Sequence, residues 1–198
     1  MAIVYEKQGQ GEHVFTLHTE HSTYQMKVDG HGYLLHLYYG GKVSGCMDYL
    51  LTYYDRGFSG NPAAAGLDRT YSLDTLPQEY PALGTGDFRS SALAVCNGDG
   101  SQCCDLKYAG HEVRKGKYGL KGLPAVYAEQ GEAETLEIRL RDLVSGVEVA
   151  LLYGVLEGED IITRSAVIKN GAGTGITVEK ALSGCLDFVA GEYDLIGF

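Results

Sequence analysis

The side chains best suited to chemistry in this 198-residue chain lie in one irregular stretch, residues 55–89. Its charged residues are Asp55, Arg56, Asp68, Arg69, Asp74, Glu79, Asp87 and Arg89. Two carboxylates that flank a glycosidic bond can act as the acid and the nucleophile of a glycosidase. Carboxylates in loops also cap turns and pair with arginine, and this structural role is the stronger interpretation from residue types alone. We predict such structural pairs within Asp68-Arg69 and between Asp87 and Arg89.

Aromatic rings accompany these charges, and the combination is typical of a sugar-binding site. The rings are Tyr53, Tyr54, Phe58, Tyr71, Tyr80 and Phe88. Sugar sites use planar groups for stacking and a few placed polar groups that bind hydroxyls. Tyrosine is equally ordinary in half-buried strands, so the rings alone do not decide between a site and a core.

Other classes of chemistry lack their motifs. The six histidines (His13, His18, His21, His31, His36 and His111) contain no HExxH or comparable pattern. We therefore interpret them as structural or surface residues, and we expect neither a metal nor a cofactor. The nucleophile motif GxSxG is absent as well. The glycine-rich residues 169–175 lie between two predicted strands, so they predict a hairpin turn rather than a phosphate loop.

Charge and cysteine usage restrict the partners and the compartment. The net charge is −10 and no run of basic residues occurs, which argues against nucleic acid as a partner. The five cysteines are odd in number and include no CxxC pair, so we expect them to be reduced packing residues. No signal peptide and no apolar stretch of about 18 residues are evident. The sequence thus predicts a cytoplasmic protein without a membrane segment.

The pattern of apolar residues predicts an all-β protein. Twenty-eight glycines and 15 tyrosines favour strands joined by turns, and the strand spacing is that of a β-sandwich. Strands are predicted over residues 13–19, 23–28, 33–39, 92–96, 104–108, 134–140, 147–155, 161–168 and 176–182. Asn97-Gly-Asp-Gly100 predicts a hairpin, and residues 61–67 predict one helical turn. The last strand-like segment, 193–198, stops at an apolar residue, so we expect the domain to be incomplete at its C-terminus.

Residues 69–89 have neither a helical nor an alternating period, which predicts an ordered loop with a function. Several ordered strings in and around this loop resemble the N-terminal domain of bacterial α-galactosidases of glycoside hydrolase family 36. They are GYLLHLYYG at 32–40, DRGFSGNP at 55–62, DRTYSLDTLPQEYP at 68–81, GTGDFR at 84–89, GLPAVY at 122–127, EAETLE at 132–137 and DIITRSA at 160–166.

The resemblance implies a fold and an architecture. It implies a β-supersandwich, a large antiparallel sandwich like that of galactose mutarotase, with residues 1–198 forming one N-terminal domain. In this family a catalytic (β/α)₈ barrel and a small C-terminal β domain follow, and both catalytic aspartates lie on the barrel. The resemblance therefore implies that the full-length protein is a retaining α-galactosidase acting on galactosyl oligosaccharides. This chain by itself, which lacks the barrel, is expected to be inactive.

The resemblance also implies particular site residues. Family members are typically tetramers in which the N-terminal domain leans over a neighbouring subunit's active site. Asp55 of the DRGFSGNP string and Arg69 of the DRTYSLD string match the positions that reach the galactose pocket. A carboxylate can accept hydrogen bonds from adjacent sugar hydroxyls, and a guanidinium can donate to them. A loop salt bridge is the structural alternative for both residues. A free-standing carbohydrate-binding module and an α-N-acetylgalactosaminidase are the alternative functions.

Overall fold

The structure, a computed structural model, describes residues 1–55, 57, 60–171, 173–188, 191–194 and 197. In this part of the chain the regular structure consists of ten β-strands and three short 3₁₀ turns, with no α-helix. The strands are β1 (Ile3–Gln8), β2 (Glu12–His18), β3 (Ser22–Val28), β4 (Leu34–Gly41), β5 (Leu93–Cys96), β6 (Lys107–Lys115), β7 (Ala133–Arg141), β8 (Val147–Leu156), β9 (Ile161–Asn170) and β10 (Thr177–Ala181). The all-β prediction is confirmed.

The strands form three antiparallel sheets. The first sheet has the order β1-β2-β3-β4, the third has the order β6-β7-β8-β9, and β5 pairs with β10 in a small second sheet. The two four-stranded sheets connect neighbours in sequence, as in a meander. Apolar side chains alternate along β7, where Leu136, Ile138 and Leu140 are buried. This period of two gives each strand one face for the core.

The main core contains buried residues from both large sheets and from β5. Phe15 and Met26 of the first sheet share it with Leu136 and Tyr153 of the third. A second, smaller core lies beneath the irregular segment and consists of Tyr33, Leu35, Ala65, Tyr71, Leu73 and Leu76. Residues 69–89 are therefore an ordered loop with apolar residues of its own that are buried.

Two predicted hairpins are wrong. A tight turn does form at 97–100, where Gly100 N–H donates to Asn97 O at 2.9 Å. The strands on either side nevertheless belong to different sheets, because β5 pairs with β10 and β6 pairs with β7. The strands flanking 169–175, of which residue 172 lies outside the described residues, likewise pair with β8 and β5. Turn residues reverse the chain locally, whereas burial of apolar side chains selects the pairing partner.

The remaining local predictions have mixed outcomes. The 3₁₀ turn Ala63–Ala65 confirms the helical turn predicted at 61–67. All five cysteines are free thiols, as expected. The strand predicted at 193–198 is absent at residues 193, 194 and 197, and the rest of it lies outside the described residues. Within the described residues, no helix has the length and apolar character needed to cross a membrane.

Backbone contacts tie the irregular segment to the first sheet. Leu35 of β4 forms a bridge with Gln78, and the His36 N–H donates to Pro77 O at 2.7 Å. The Glu79 N–H donates to Leu34 O at 3.0 Å. The middle of the segment thus runs beside β4 as an extension of the sheet, and it fixes where the two ends of the segment emerge.

Candidate functional site

Asp55 and Arg69, the two residues predicted to contact a sugar, lie together in the structure. Arg69 Nε is 3.3 Å from Asp55 Oδ2, and one terminal nitrogen of Arg69, Nη2, is 3.4 Å from Asp55 Oδ1. The side chains are 47% and 64% exposed for Asp55 and Arg69, respectively. The pair therefore forms an accessible ion pair at the surface, with both charges able to contact a ligand.

The same two side chains close the loop between them. Asp55 Oδ1 accepts the Gly57 N–H at 2.7 Å, and Arg69 Nη2 donates to Gly57 O at 3.1 Å. The φ angle of Gly57 is 81°, in the left-handed region that favours glycine. Arg69 Nη1 has no partner in the described part of the chain, and this leaves donors of the guanidinium for another molecule. The arrangement is both a loop salt bridge and a carboxylate–guanidinium pair presented to solvent.

Asp68 does not pair with Arg69, contrary to the prediction. Its Oδ1 accepts the Thr70 N–H at 2.9 Å and the Thr70 hydroxyl at 2.6 Å. These hydrogen bonds lower the pKa of Asp68. A short loop carboxylate reaches the backbone two residues ahead more readily than its sequence neighbour's long side chain, so it forms an Asx turn.

The predicted pairing of Asp87 with Arg89 is confirmed. Arg89 Nε and Nη2 donate to the two carboxylate oxygens of Asp87 at 3.0 and 2.9 Å, which is a bidentate arrangement. Gln78 Nε2 also donates to Asp87 at 2.8 Å. Arg89 Nη2 further donates to Leu73 O and Leu76 O. The pair connects residues 87–89 to residues 73–78 of the same loop, so its role is structural.

Glu79 has a role that residue types alone did not indicate. Its carboxylate is fully buried and forms an ion pair with Arg164 of β9, with Arg164 Nη2 at 2.7 Å from Oε1. The Tyr24 hydroxyl of β3 donates to the carboxylate at 2.8 Å, and the Tyr153 hydroxyl of β8 donates at 2.7 Å. The loop thus joins the first and third sheets through one buried carboxylate. The sequence around Glu79 could not predict these partners, because they lie 55 to 85 residues away along the chain.

The electrostatics of this buried network follow from its geometry. Burial alone would lower the pKa of Arg164, but the adjacent carboxylate of Glu79 raises it. Burial and the charge of Glu79 both raise the pKa of Tyr24 and Tyr153. The two hydroxyls therefore remain protonated donors, and the network has the properties of a scaffold.

The predicted aromatic residues divide between surface and core. Tyr53, Tyr54 and Phe88 are exposed, and Phe88 is 85% exposed. Tyr71 and Tyr80 are buried, and Arg56 and Phe58 lie outside the described residues. The rings available for stacking on a ligand in the described part are thus those next to Asp55 and Asp87, at the surface of the segment.

Apart from Asp55, each described carboxylate of the segment is hydrogen-bonded within the protein rather than placed for acid–base chemistry. Asp68 caps a turn, Asp74 accepts a hydrogen bond from Ser72, Asp87 binds Arg89, and Glu79 lies in the core. Among the described residues, no group of three or more His, Cys, Asp and Glu side chains could hold a metal ion. Asp55 and Arg69 differ from these carboxylates in that both of their charged groups are accessible at the surface.

Comparison with known proteins points to one family. Residues 32–198 match the glycosyl hydrolase family 36 N-terminal domain. The bifunctional alpha-galactosidase/sucrose kinase AgaSK of Mediterraneibacter gnavus is 62% identical over 199 residues, which is 100% of this chain and 21% of that protein. Alpha-galactosidase AgaA of Geobacillus stearothermophilus is 43% identical over 99% of this chain and 26% of its own length. The chain therefore spans about a fifth to a quarter of these curated relatives.

Solved structures agree with the sequence matches. The galactosidase domain of AgaSK superimposes with a TM-score of 0.90 and covers 94% of this chain and 26% of its own. A doubly substituted variant of AgaA of Geobacillus stearothermophilus, in complex with raffinose, gives a TM-score of 0.82 at 44% identity and covers 86% of this chain and 24% of its own. Another variant of AgaA has been solved with stachyose. The fold seen here is thus shared with AgaSK and with AgaA, whose variants have been solved with raffinose and with stachyose.

Proposed function

The chain belongs to the glycosyl hydrolase family 36 N-terminal domain family, and from that premise we propose that it is the non-catalytic N-terminal part of a retaining α-galactosidase. The residues that cleave the substrate then lie in a barrel domain outside these 198 residues. The observation that carries the proposal is the exposed Asp55–Arg69 pair, held by a loop that is anchored in the core. The described carboxylates of this loop include no free acid–base pair, which fits a binding role.

We propose that the pair binds galactosyl oligosaccharides at the active site of a neighbouring subunit in a tetramer. Asp55 accepts hydrogen bonds from sugar hydroxyls and the free donors of Arg69 bind others, because the two groups offer complementary hydrogen-bonding capacity. Activity would then depend on assembly, since one subunit completes the pocket of another. The raffinose and stachyose complexes of the related AgaA support the substrate class.

Substitution in the full-length enzyme tests the binding role. Asp55→Ala and Arg69→Ala should each lower kcat/KM for raffinose about 10- to 100-fold, since a hydrogen bond to a charged group contributes about 1.5–3 kcal/mol. Arg141→Ala and Glu148→Ala are matched controls, because they remove another exposed ion pair, which lies on the third sheet. Unchanged kinetics for both Asp55→Ala and Arg69→Ala would show that the pair is only a loop salt bridge.

The isolated 198-residue chain tests the non-catalytic assignment. We expect no turnover of an aryl α-galactoside, and no heat of binding with galactose or raffinose in calorimetry. Turnover by the pure chain would contradict the proposal. Measurable binding without a barrel would instead favour a free-standing carbohydrate-binding module, which is the alternative function.

We also propose a cytoplasmic location, for which the five free cysteines are the support. Secreted proteins of this size more commonly contain disulfides. Fractionation of the producing cells followed by immunoblotting tests this proposal. Recovery of the protein from the culture medium would refute it.

A further inference from the structure

Two tyrosines flank the Asp55–Arg69 pair in a symmetric way. Tyr53 precedes Asp55 by two residues, and Tyr71 follows Arg69 by two. The rings of Tyr53 and Tyr71 stack on one another, with centroids 6.2 Å apart and planes inclined by 27°. The stack therefore joins the two chain segments that carry the charges, two residues away from each charged residue along the chain.

One ring of this stack is anchored in the interior. Tyr71 is 3% exposed, and its hydroxyl donates to Asp29 Oδ2. Burial, followed by the charge of Asp29, raises the pKa of Tyr71, so the hydroxyl stays a donor. The His31 ring meets the Tyr71 ring edge-on at 4.5 Å. Tyr71 is thus held by a hydrogen bond at its tip and by ring contacts on its sides.

The anchor itself belongs to a rigid part of the first sheet. Asp29 lies in the turn between β3 and β4 and is buried. Its Oδ1 accepts the N–H groups of His31 and Tyr33, each at 2.9 Å, and its backbone pairs with Tyr33. Every oxygen of this carboxylate therefore has a partner, and its position is determined by the sheet rather than by the loop.

We infer that Asp29, Tyr71 and Tyr53 are positioning residues that hold Asp55 and Arg69 in place for the substrate. This inference rests on the proposed function of the pair. The side chains of Asp55 and Arg69 are half-exposed and make few contacts of their own, so their geometry has to come from the segments that carry them. When a group that positions the substrate is displaced by about 1 Å, the reaction rate can fall by about 100-fold.

A double-mutant cycle in the full-length enzyme tests the inference. Tyr71→Phe retains the ring and removes only the hydroxyl that binds Asp29. It should lower kcat/KM for raffinose about 10-fold in the wild-type background, and should have little effect in the Arg69→Ala background, because the group it positions is then gone. Equal losses in both backgrounds would overturn the inference, because the hydroxyl would then act independently of Arg69.

Tyr80→Phe is the matched control. Tyr80 is equally buried in the same segment, and its hydroxyl donates to Leu182 O at 2.8 Å, away from the pair. This variant should also lose stability, measured by urea unfolding, although less than Tyr71→Phe because the lost acceptor is a neutral carbonyl rather than a carboxylate, and it should keep wild-type kcat/KM. A similar kinetic loss in Tyr80→Phe would show that general destabilisation is responsible, and would overturn the positioning role.

A spectroscopic measurement on the 198-residue chain separates this inference from the proposed function. The Nε–H signal of Arg69 in an NMR spectrum reports its contact with Asp55, and we expect its exchange with water to accelerate in Tyr71→Phe but not in Tyr80→Phe. An unchanged signal in Tyr71→Phe overturns the inference whatever the kinetics show. If Arg69→Ala leaves the kinetics unchanged while the signal responds as expected, the proposed function is wrong and the positioning of the pair is retained.

Discussion

Two carboxylate–guanidinium pairs involve the same irregular segment, residues 55–89, but occupy opposite environments. Asp55 and Arg69 pair at the surface, with side chains 47% and 64% exposed. Glu79 and Arg164 pair in the interior, with side chains 0% and 15% exposed. The surface pair makes few further contacts, whereas the buried pair receives two tyrosine hydroxyls from different sheets.

The difference shows how solvent assigns the same chemical groups to different tasks. An exposed ion pair contributes only about 0–1 kcal/mol to stability, because water competes for both charges. The carboxylate and the guanidinium of an exposed pair remain accessible, so a ligand can replace water or the partner group as their hydrogen-bonding partner. A buried pair has no access to water, so each charge depends on its partners and cannot be released without a large penalty. The outer pair is therefore suited to binding and the inner pair to support.

The largest effect is expected when the buried pair is broken. Glu79→Ala leaves Arg164 without its carboxylate and leaves two hydroxyls without an acceptor, so the free energy of unfolding should fall by about 3–5 kcal/mol. Urea unfolding of the chain measures this, and Glu148→Ala, from an exposed pair, is the control that should stay within about 1 kcal/mol. A loss below about 1 kcal/mol for Glu79→Ala would remove the contrast between the two pairs.

A smaller effect is expected when the buried pair is kept and one donor is removed. In Tyr153→Phe the carboxylate of Glu79 loses one hydroxyl but retains Tyr24 and Arg164. The free energy of unfolding should fall by about 1.5–3 kcal/mol, the value for a hydrogen bond to a charged group. Tyr5→Phe, which removes an exposed hydroxyl bound to His13, is the control and should have a smaller effect. Equal losses would mean that burial adds nothing to this hydrogen bond.

The contrast between the pairs also explains what could be read from the sequence. The local pairing of Asp87 with Arg89 was predictable, because two residues of separation bring their side chains together. The buried role of Glu79 was not, because its partners come from strands that only the complete fold brings together. Asp55 and Arg69 were identified by resemblance to a family. Their contact across 14 residues depends on the stacked tyrosines, which no local pattern encodes.

The same reasoning applies to the fold. Alternating apolar residues predicted strands such as β2, β3, β7 and β8, because burial on one face imposes a period of two. The pairing of β5 with β10 was missed, since the turn at 97–100 suggested a local partner for β5. Leu93 and Val95 are fully buried in the main core, and this position of β5, rather than the adjacent turn, goes with its pairing to a distant strand.

The half-buried contact between β2 and β6 should have an intermediate, pH-dependent effect on the free energy of unfolding. His13 of β2 and His111 of β6 lie 6.2 Å apart, and each is hydrogen-bonded to a tyrosine, Tyr5 and Tyr108, respectively. Burial lowers the pKa of both histidines below 6.5, assisted by Lys7 for His13, and by His13 and Arg139 for His111. The unfolded chain therefore binds more protons, so these groups should reduce stability as the pH falls below about 6.5.

Unfolding measured between pH 7.5 and 5 tests this sign. The free energy of unfolding of the double variant His13→Gln with His111→Gln should fall less on acidification than that of the wild type. His21→Gln is a control of opposite sign, because the hydrogen bond and charge of Asp160 raise the pKa of His21. The contribution of His21 is fully present below pH 6.5 and is lost as the pH rises through its raised pKa. A steeper acid dependence in the double variant would contradict the assignment.

The smallest effect on stability is expected at the surface pair, where the expected effect on function is large. Asp55→Ala and Arg69→Ala should each change the free energy of unfolding by no more than about 1 kcal/mol, measured by urea unfolding as for Glu79→Ala. Each variant also removes one hydrogen bond to Gly57, because Asp55 accepts its N–H and Arg69 donates to its carbonyl, so the two losses should be similar. If either variant were as unstable as Glu79→Ala, any loss of activity would follow from unfolding. Stable variants with impaired kinetics would instead mean that the segment separates its two tasks by depth, with support in the core and binding at the surface.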